Sequence, residues 1–235
     1  MKKNASSKNN KTLKSKKTLK LEKILPLTEN QKLVFDNFSQ KHLVLDGSAG
    51  VGKTFCALYL SLKELHHNKF DQIIICRSIV PTRDIGFLPG DMEEKIAVYE
   101  TPYCEIVNDL YKDPTAYEFL KAEEKIKFVP TSFLRGLSFH NSIILIDELQ
   151  SMNFHEISTI VTRIGKNSKL VACGDYIQSD LVKEKDKSSI LDFIKIVKTL
   201  EEFEIVKFTE NDIVRSDFVK NYIIAENKYF KRNLN

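Results

Sequence analysis

Three groups of residues in this 235-residue chain have types and spacings that could do chemistry together. The first is Gly47-Ser48-Ala49-Gly50-Val51-Gly52-Lys53-Thr54. It follows the apolar stretch His42–Asp46 and precedes a helical pattern from Phe55 to Leu65. A strand feeding a Gly-rich loop that opens a helix is the setting a phosphate-binding P-loop requires. The glycines let backbone N–H groups curl around a phosphate, and the helix N-terminus adds a favourable dipole. Lys53 is expected at the β- and γ-phosphates and the Thr54 hydroxyl at Mg²⁺. These residues imply binding of a nucleoside triphosphate.

The second group is Asp147-Glu148, which ends the buried-strand pattern that starts at Ser142. Asp147 is expected to hold the Mg²⁺ shell, and Glu148 to orient or deprotonate an attacking water. An acidic helix start would also place two carboxylates together. Downstream of a P-loop, however, the second carboxylate points to hydrolysis rather than transfer to a bound acceptor. The third group is Gly174-Asp175 with Gln178, after the strand pattern Lys169–Cys173. Ligands sit at the carboxyl ends of strands in open α/β sheets, so a polar side chain there can sense a γ-phosphate. By itself this short motif is also an ordinary turn. Gln31 has two readings. It stands three residues after Thr28, where it completes a capping box, and it lies upstream of a P-loop strand, where many helicase-type ATPases read adenine.

Apolar runs at Gln72–Arg77, Ser142–Ile146, Lys169–Cys173 and Phe203–Phe208 alternate with helical patterns. The helical patterns cover 92–111, 116–126, 153–164, 188–202 and 218–228, and 127–129 forms a short strand. Such alternation predicts an α/β fold with a mostly parallel sheet covered on both faces. No repeat or Gly/Ser-rich linker divides it. Residues 1–23 carry nine lysines against Glu22 alone, within a chain whose net charge is +4. They are expected to form a disordered basic tail, with residues 24–235 as one domain. The tail could add affinity for nucleic acid through counterion release, or be only solvated. No run of eighteen apolar residues exists, so no membrane partner is expected. The basic N-terminus lacks a signal peptide's apolar segment, which favours the cytoplasm. Four scattered cysteines form no C-x-x-C pair and read as small core residues.

The ordered set of segments 47–54, 76–95, 128–136, 143–150, 162–181 and 208–219 resembles the PhoH family of ATPases, relatives of superfamily-one helicases. The resemblance covers about residues 25–228. Its most specific parts are Gly86-Phe87-Leu88-Pro89-Gly90-Asp91 and Ser168-Lys169-Leu170-Val171-Ala172-Cys173-Gly174-Asp175. It implies a single RecA-like domain in which the strand before Gly174 lies beside the P-loop strand, with Gln178 at the γ-phosphate. It also implies that Arg77 and the loop 81–91 grip the backbone of a single nucleic-acid strand. Arg135 and Arg163 stand where phosphate contacts or surface ion pairs would both be expected. Some family members carry a PIN-type nuclease domain. Only lysine-rich residues precede Leu25 and no acidic cluster accompanies them, so built-in ribonuclease activity is not expected.

Superfamily-one helicases complete their ATP site with arginines from a second RecA domain, whereas this chain has residues for one. A neighbouring subunit is the expected source, with Arg215 acting in trans within a homo-oligomeric ring, a hexamer by resemblance. A capping or ion-paired surface arginine is the plainer reading of Arg215. The leading function is ATP hydrolysis with Mg²⁺, coupled to binding or remodelling single-stranded nucleic acid, RNA ahead of DNA. The alternatives are a nucleotide-gated binding module without unwinding and a P-loop kinase for a small metabolite. Phe87, Tyr99, Tyr103 and Phe133 are the aromatics that could stack on bases along a strand path.

Overall fold

The computed structural model describes residues 17–79, 92–134, 136–175 and 184–232. Six strands form one sheet: β1 (His42–Asp46), β2 (Gln72–Arg77), β3 (Ile126–Pro130), β4 (Ser142–Ile146), β5 (Lys169–Gly174) and β6 (Phe203–Lys207). Their order is β3-β2-β4-β5-β1-β6, and every pairing is parallel. The four central strands are continuous apolar runs because both faces are covered. Alternate residues serve opposite faces, as the period of a strand dictates. Leu43, Leu45, Ile73, Ile75 and Leu145 pack on one side, and Val44, Ile74, Ile144, Ile146 and Ala172 on the other.

The first side is covered by α1 (Glu29–Asn37), α2 (Lys53–His66), α3 (Met92–Tyr111) and α4 (Ala116–Ala122). The second is covered by α5 (Phe154–Val161) and α6 (Glu184–Val197). A final helix, α7 (Asp217–Arg232), places Ile223 in the first core. The strand expected beside β1 is there: β5 pairs with it from Leu43–Val171 to Asp46–Gly174.

Three expectations about the elements need correction. Helix α4 stops at Ala122 because Glu124 takes a left-handed φ of 56° and Ile126 joins β3 beside β2. Helix α6 starts at Glu184 and ends at Val197, shifted toward the N-terminus of the expected span. Residues 17–23 lie on the domain instead of belonging to a free tail. Leu19 and Leu21 pack on the first core, the Glu22 N–H donates to the Leu110 carbonyl at 3.0 Å, and Lys17 pairs with Asp113 at 2.6 Å. Nine lysines dominate the composition, but two alternating leucines suffice to seat this strap.

Candidate nucleotide site

The carboxyl end of β1 runs into the 47–54 loop, and its backbone explains the glycines. Gly52 has a φ of +84° and is the N-cap of α2, with no side chain bonded to the helix's free N–H groups. A left-handed residue there costs a non-glycine strain, and the uncapped N–H groups are left to meet an anion. At Gly47 a Cβ would come within 2.6 Å of the Phe208 Cβ. Lys53 folds back over the loop, donating from Nζ to the carbonyls of Gly47 at 2.6 Å and Ser48 at 2.9 Å.

Asp147 follows β4, its N–H donating to the Cys76 carbonyl at 3.0 Å. The Thr54 hydroxyl donates to Asp147 Oδ1 at 2.8 Å, so the loop and the β4 end meet through these two oxygens. Burial raises the Asp147 pKa and the neighbouring Glu148 adds to the rise; the hydrogen bonds from Thr54 and Tyr103 and the charge of Arg77 oppose it. Both oxygens are hard donors of the kind Mg²⁺ takes. Adjacent ligands of an octahedral Mg²⁺ at roughly 2.05 Å are about 2.9 Å apart, close to the separation here. The pair fits a Mg²⁺ site completed by phosphate and water.

Glu148 holds a left-handed backbone, φ 55° and ψ 48°, at the start of a 3-10 turn over Leu149–Ser151. This is uncommon for a residue with a Cβ and is found where a side chain must be aimed. Gln150 ties the turn together. Its Nε2 donates to Glu148 Oε2 at 2.5 Å, and its Oε1 accepts from the Asp175 N–H at 3.0 Å.

These groups line one cavity of about 690 Å³, within the range of small-molecule sites. Its apolar wall includes Ile24, Leu27, Phe35, Phe55 and Ile106, and its polar floor includes Lys53, Thr54, Asp147, Glu148 and Asp175. Gln31 is buried at the junction. Its N–H is capped by Thr28 at 3.3 Å, but its side chain does not reach back to Thr28. Instead Nε2 donates to the Val51 carbonyl at 3.1 Å and Oε1 accepts from the Leu27 N–H at 2.8 Å. The side chain therefore braces the P-loop, and the capping box is half made. Arg215 also lines this cavity, and its Cγ is 3.0 Å from where a Cβ on Gly50 of the same chain would stand. The Val214 N–H donates to the Gly50 carbonyl at 3.0 Å, which pins that segment to the loop.

Arg77 lines the cavity, with its guanidinium carbon 5.6 Å from the centre of the Tyr99 ring. Half-burial works against its charge, but Tyr103, Glu148 and Asp147 outweigh that and raise its pKa. Tyr103 is fully buried and donates to Asp147 Oδ2 at 2.9 Å, so it cannot stack on a base. Phe133 is 51% exposed. Arg163 donates to the Leu137 carbonyl at 3.3 Å, beside the bridge that precedes β4 and β5, at the far end of the sheet from the P-loop. Gln178, Arg135, Phe87 and the loop 81–91 lie outside the described residues. Cys56, Cys76 and Cys173 are buried, and burial pushes the Cys56 and Cys76 thiols up to about 12, which makes them core residues rather than nucleophiles. Sequence reasoning offered Tyr103 only as a stacking aromatic and missed Gln150. Gln150 carried one usable signal, its place two residues after Glu148.

The PhoH-like protein family matches residues 23–226, nearly the whole described domain. The chain belongs to the PhoH family. It is 32% identical to Protein PhoH of Escherichia coli (strain K12) over 180 residues, covering 76% of this chain and 51% of that one. It is 30% identical to a PhoH-like protein of Mycobacterium tuberculosis (strain ATCC 25618 / H37Rv) over 206 residues, covering 87% and 58%. This PhoH-family chain thus spans just over half the length of these curated relatives. Its fold is similar to that of the large terminase from a thermophilic bacteriophage, solved in complex with ADP. The TM-score is 0.50 at 14% identity, covering 84% of this chain and 49% of that one. The architecture is therefore that of a RecA-like P-loop fold. No helix among the described residues is long and apolar enough to cross a membrane.

Proposed function

We propose that this PhoH-family chain hydrolyses ATP with Mg²⁺ and couples hydrolysis to single-stranded nucleic acid, RNA ahead of DNA. The observation that carries the reading is the meeting of Thr54 and Asp147 at 2.8 Å beside Lys53, with Glu148 next along the turn. Lys53 would exchange its two loop carbonyls for β- and γ-phosphate oxygens. Thr54 and Asp147 would hold Mg²⁺, which when bound neutralises charge on the phosphates. Glu148, its carboxylate already steadied by Gln150, would orient a water and take its proton. Gln31 would present its remaining N–H to the base edge, and Gln178 would sense the γ-phosphate.

Arg215 supplies the stabilising cation. Its stem rests on its own P-loop, which favours action in cis. A homo-oligomeric ring, a hexamer by family resemblance, is the competing arrangement, in which Arg215 would serve a neighbour. The strand-facing side is supported by Arg77 over Tyr99 and by the exposed ring of Phe133, since cations and aromatics together suit a single strand.

Phosphate release from Mg-ATP, alone and with single-stranded RNA, single-stranded DNA or duplex, tests the proposal. Stimulation by single-stranded RNA above the other polymers supports it. Tight ATP binding with no turnover under any polymer would replace it with a nucleotide-gated binding module. Transfer of phosphate to a small metabolite would replace it with a kinase.

A further inference from the structure

The Asp147 carboxylate has two oxygens, and the P-loop accounts for one. Oδ1 accepts from Thr54 on the cavity side. Oδ2 accepts from the Tyr103 hydroxyl at 2.9 Å, across 44 residues of sequence. Tyr103 has no exposed surface, and its ring sits 5.7 Å from that of Phe128, centre to centre. Nothing in a Gly-rich loop followed by an Asp-Glu strand end requires a tyrosine from α3.

We propose that Tyr103 is a positioning residue for the metal, fixing the rotation of the Asp147 carboxylate so that Oδ1 stays beside Thr54. The inference rests on Thr54 and Asp147 being the metal pair. A carboxylate in a buried site with one oxygen unbonded is free to turn about its Cβ–Cγ bond. A hydroxyl on the second oxygen removes that freedom, as outer-shell partners do for metal ligands generally. The tyrosine is itself held. Tyr99 and Tyr103 stand one turn apart on α3, four residues being the spacing that shares a helix face. Tyr99 lies under the Arg77 guanidinium. One face of α3 therefore fixes both the metal carboxylate and the arginine that ends β2. A shift of α3 would be felt at both.

The test is Tyr103→Phe, which deletes one oxygen and keeps the ring contacts. Three quantities are compared with wild type: Mn²⁺ binding to the protein–ADP complex by electron paramagnetic resonance, ADP affinity in EDTA, and the melting temperature. Mn²⁺ should bind about 10–100-fold more weakly, with metal-free ADP affinity within about twofold. The melting temperature should stay close to that of wild type. Tyr103→Leu should lose Mn²⁺ affinity to a similar degree and also melt lower, which separates the hydroxyl from the packing. Wild-type Mn²⁺ affinity in Tyr103→Phe overturns the inference, and so does an equal loss of ADP affinity in EDTA. If the wild-type ADP complex itself fails to bind Mn²⁺, the Thr54–Asp147 reading falls first.

Discussion

The two ends of the sheet both bury charged and polar side chains around a cavity, yet they use them differently. At the amino ends of the strands a cavity of about 490 Å³ is lined by Lys41, His42, Lys169, Glu201 and Glu202. There the polar groups close on backbone. Lys169 donates to the Lys41 carbonyl and lies 4.8 Å from the Phe38 ring centre, Lys41 donates to the Glu201 carbonyl, and His42 Nδ1 accepts from the Leu170 N–H at 3.0 Å. At the carboxyl ends side chains of separate elements also bond one another, Thr54 to Asp147 and Tyr103 to Asp147, beside bonds between backbone and Lys53, Gln31 and Gln150. Lys53, Thr54 and Asp147 face the open space of the cavity, where a ligand can take over as partner. A buried charge alone does not mark a site. A set of side chains converging from several elements on one open space does.

This contrast can be broken by matched substitutions. Lys53→Ala should reduce ATP turnover by at least about 10²-fold, because one preorganised cation at the phosphates is lost. Lys41→Ala at the other end should leave turnover within a factor of about two and cost a little stability. If both variants lose activity equally in a phosphate-release assay, the two ends are not functionally distinct.

Arg215→Ala should also slow hydrolysis strongly, by about 10²-fold or more. Mixing Arg215→Ala with Lys53→Ala subunits separates the two arrangements. No recovery of activity fits Arg215 acting on its own P-loop. Recovery would place it in a neighbour's site and establish the ring.

The amino-end lysine should show itself in stability. Burial lowers the Lys169 pKa to about 8 from 10.5, partly countered by Glu64. The folded state therefore binds this proton less tightly than the unfolded chain. The resulting penalty is complete below about pH 8 and is relieved as pH rises toward 10.5. Its full size is on the order of 3 kcal/mol. Against Lys169→Met, wild type should gain unfolding free energy between about pH 8 and 10 in urea titrations, with ATP turnover near neutral pH alike in both. A flat difference across that window would contradict the burial assignment.

Among the residues of the nucleotide cavity, the smallest effect is expected at Gln31. Its carboxamide is already committed to Leu27 and Val51, leaving one N–H for a base. Gln31→Ala should weaken ATP binding by about tenfold and narrow its advantage over GTP. An unchanged ratio of ATP to GTP affinity would leave Gln31 as a brace of the loop only.

The parts of the molecule legible in the sequence are those whose signal is local. Glycines at fixed offsets, a lysine at a helix start and an unbroken apolar run ending in Asp147-Glu148 each announce their own backbone, so the P-loop and the central strands appear where expected. Tyr103 was not legible because its partner is set by how α3 lies on the sheet. Nothing in Thr101-Pro102-Tyr103-Cys104 distinguishes a tyrosine bonded to a buried carboxylate from one that stacks on a base. Arg215 was expected at a nucleotide, but its contact with Gly50 of its own chain depends on the return of the segment around Val214 to the loop, which no local pattern announces. The strap at 17–23 was hidden by its lysines, since net charge describes the outward side chains and says nothing of the two leucines beneath.

The most direct test of the account is Glu148→Gln, assayed for ATP binding and for phosphate release with saturating single-stranded RNA. The side chain keeps its shape and its bond to Gln150 but can no longer take a proton. ATP affinity should stay within about twofold of wild type while turnover falls by about 10²–10⁴-fold. Turnover near that of wild type would contradict Glu148 as the group that activates water, and with it the assignment of hydrolysis to this end of the sheet.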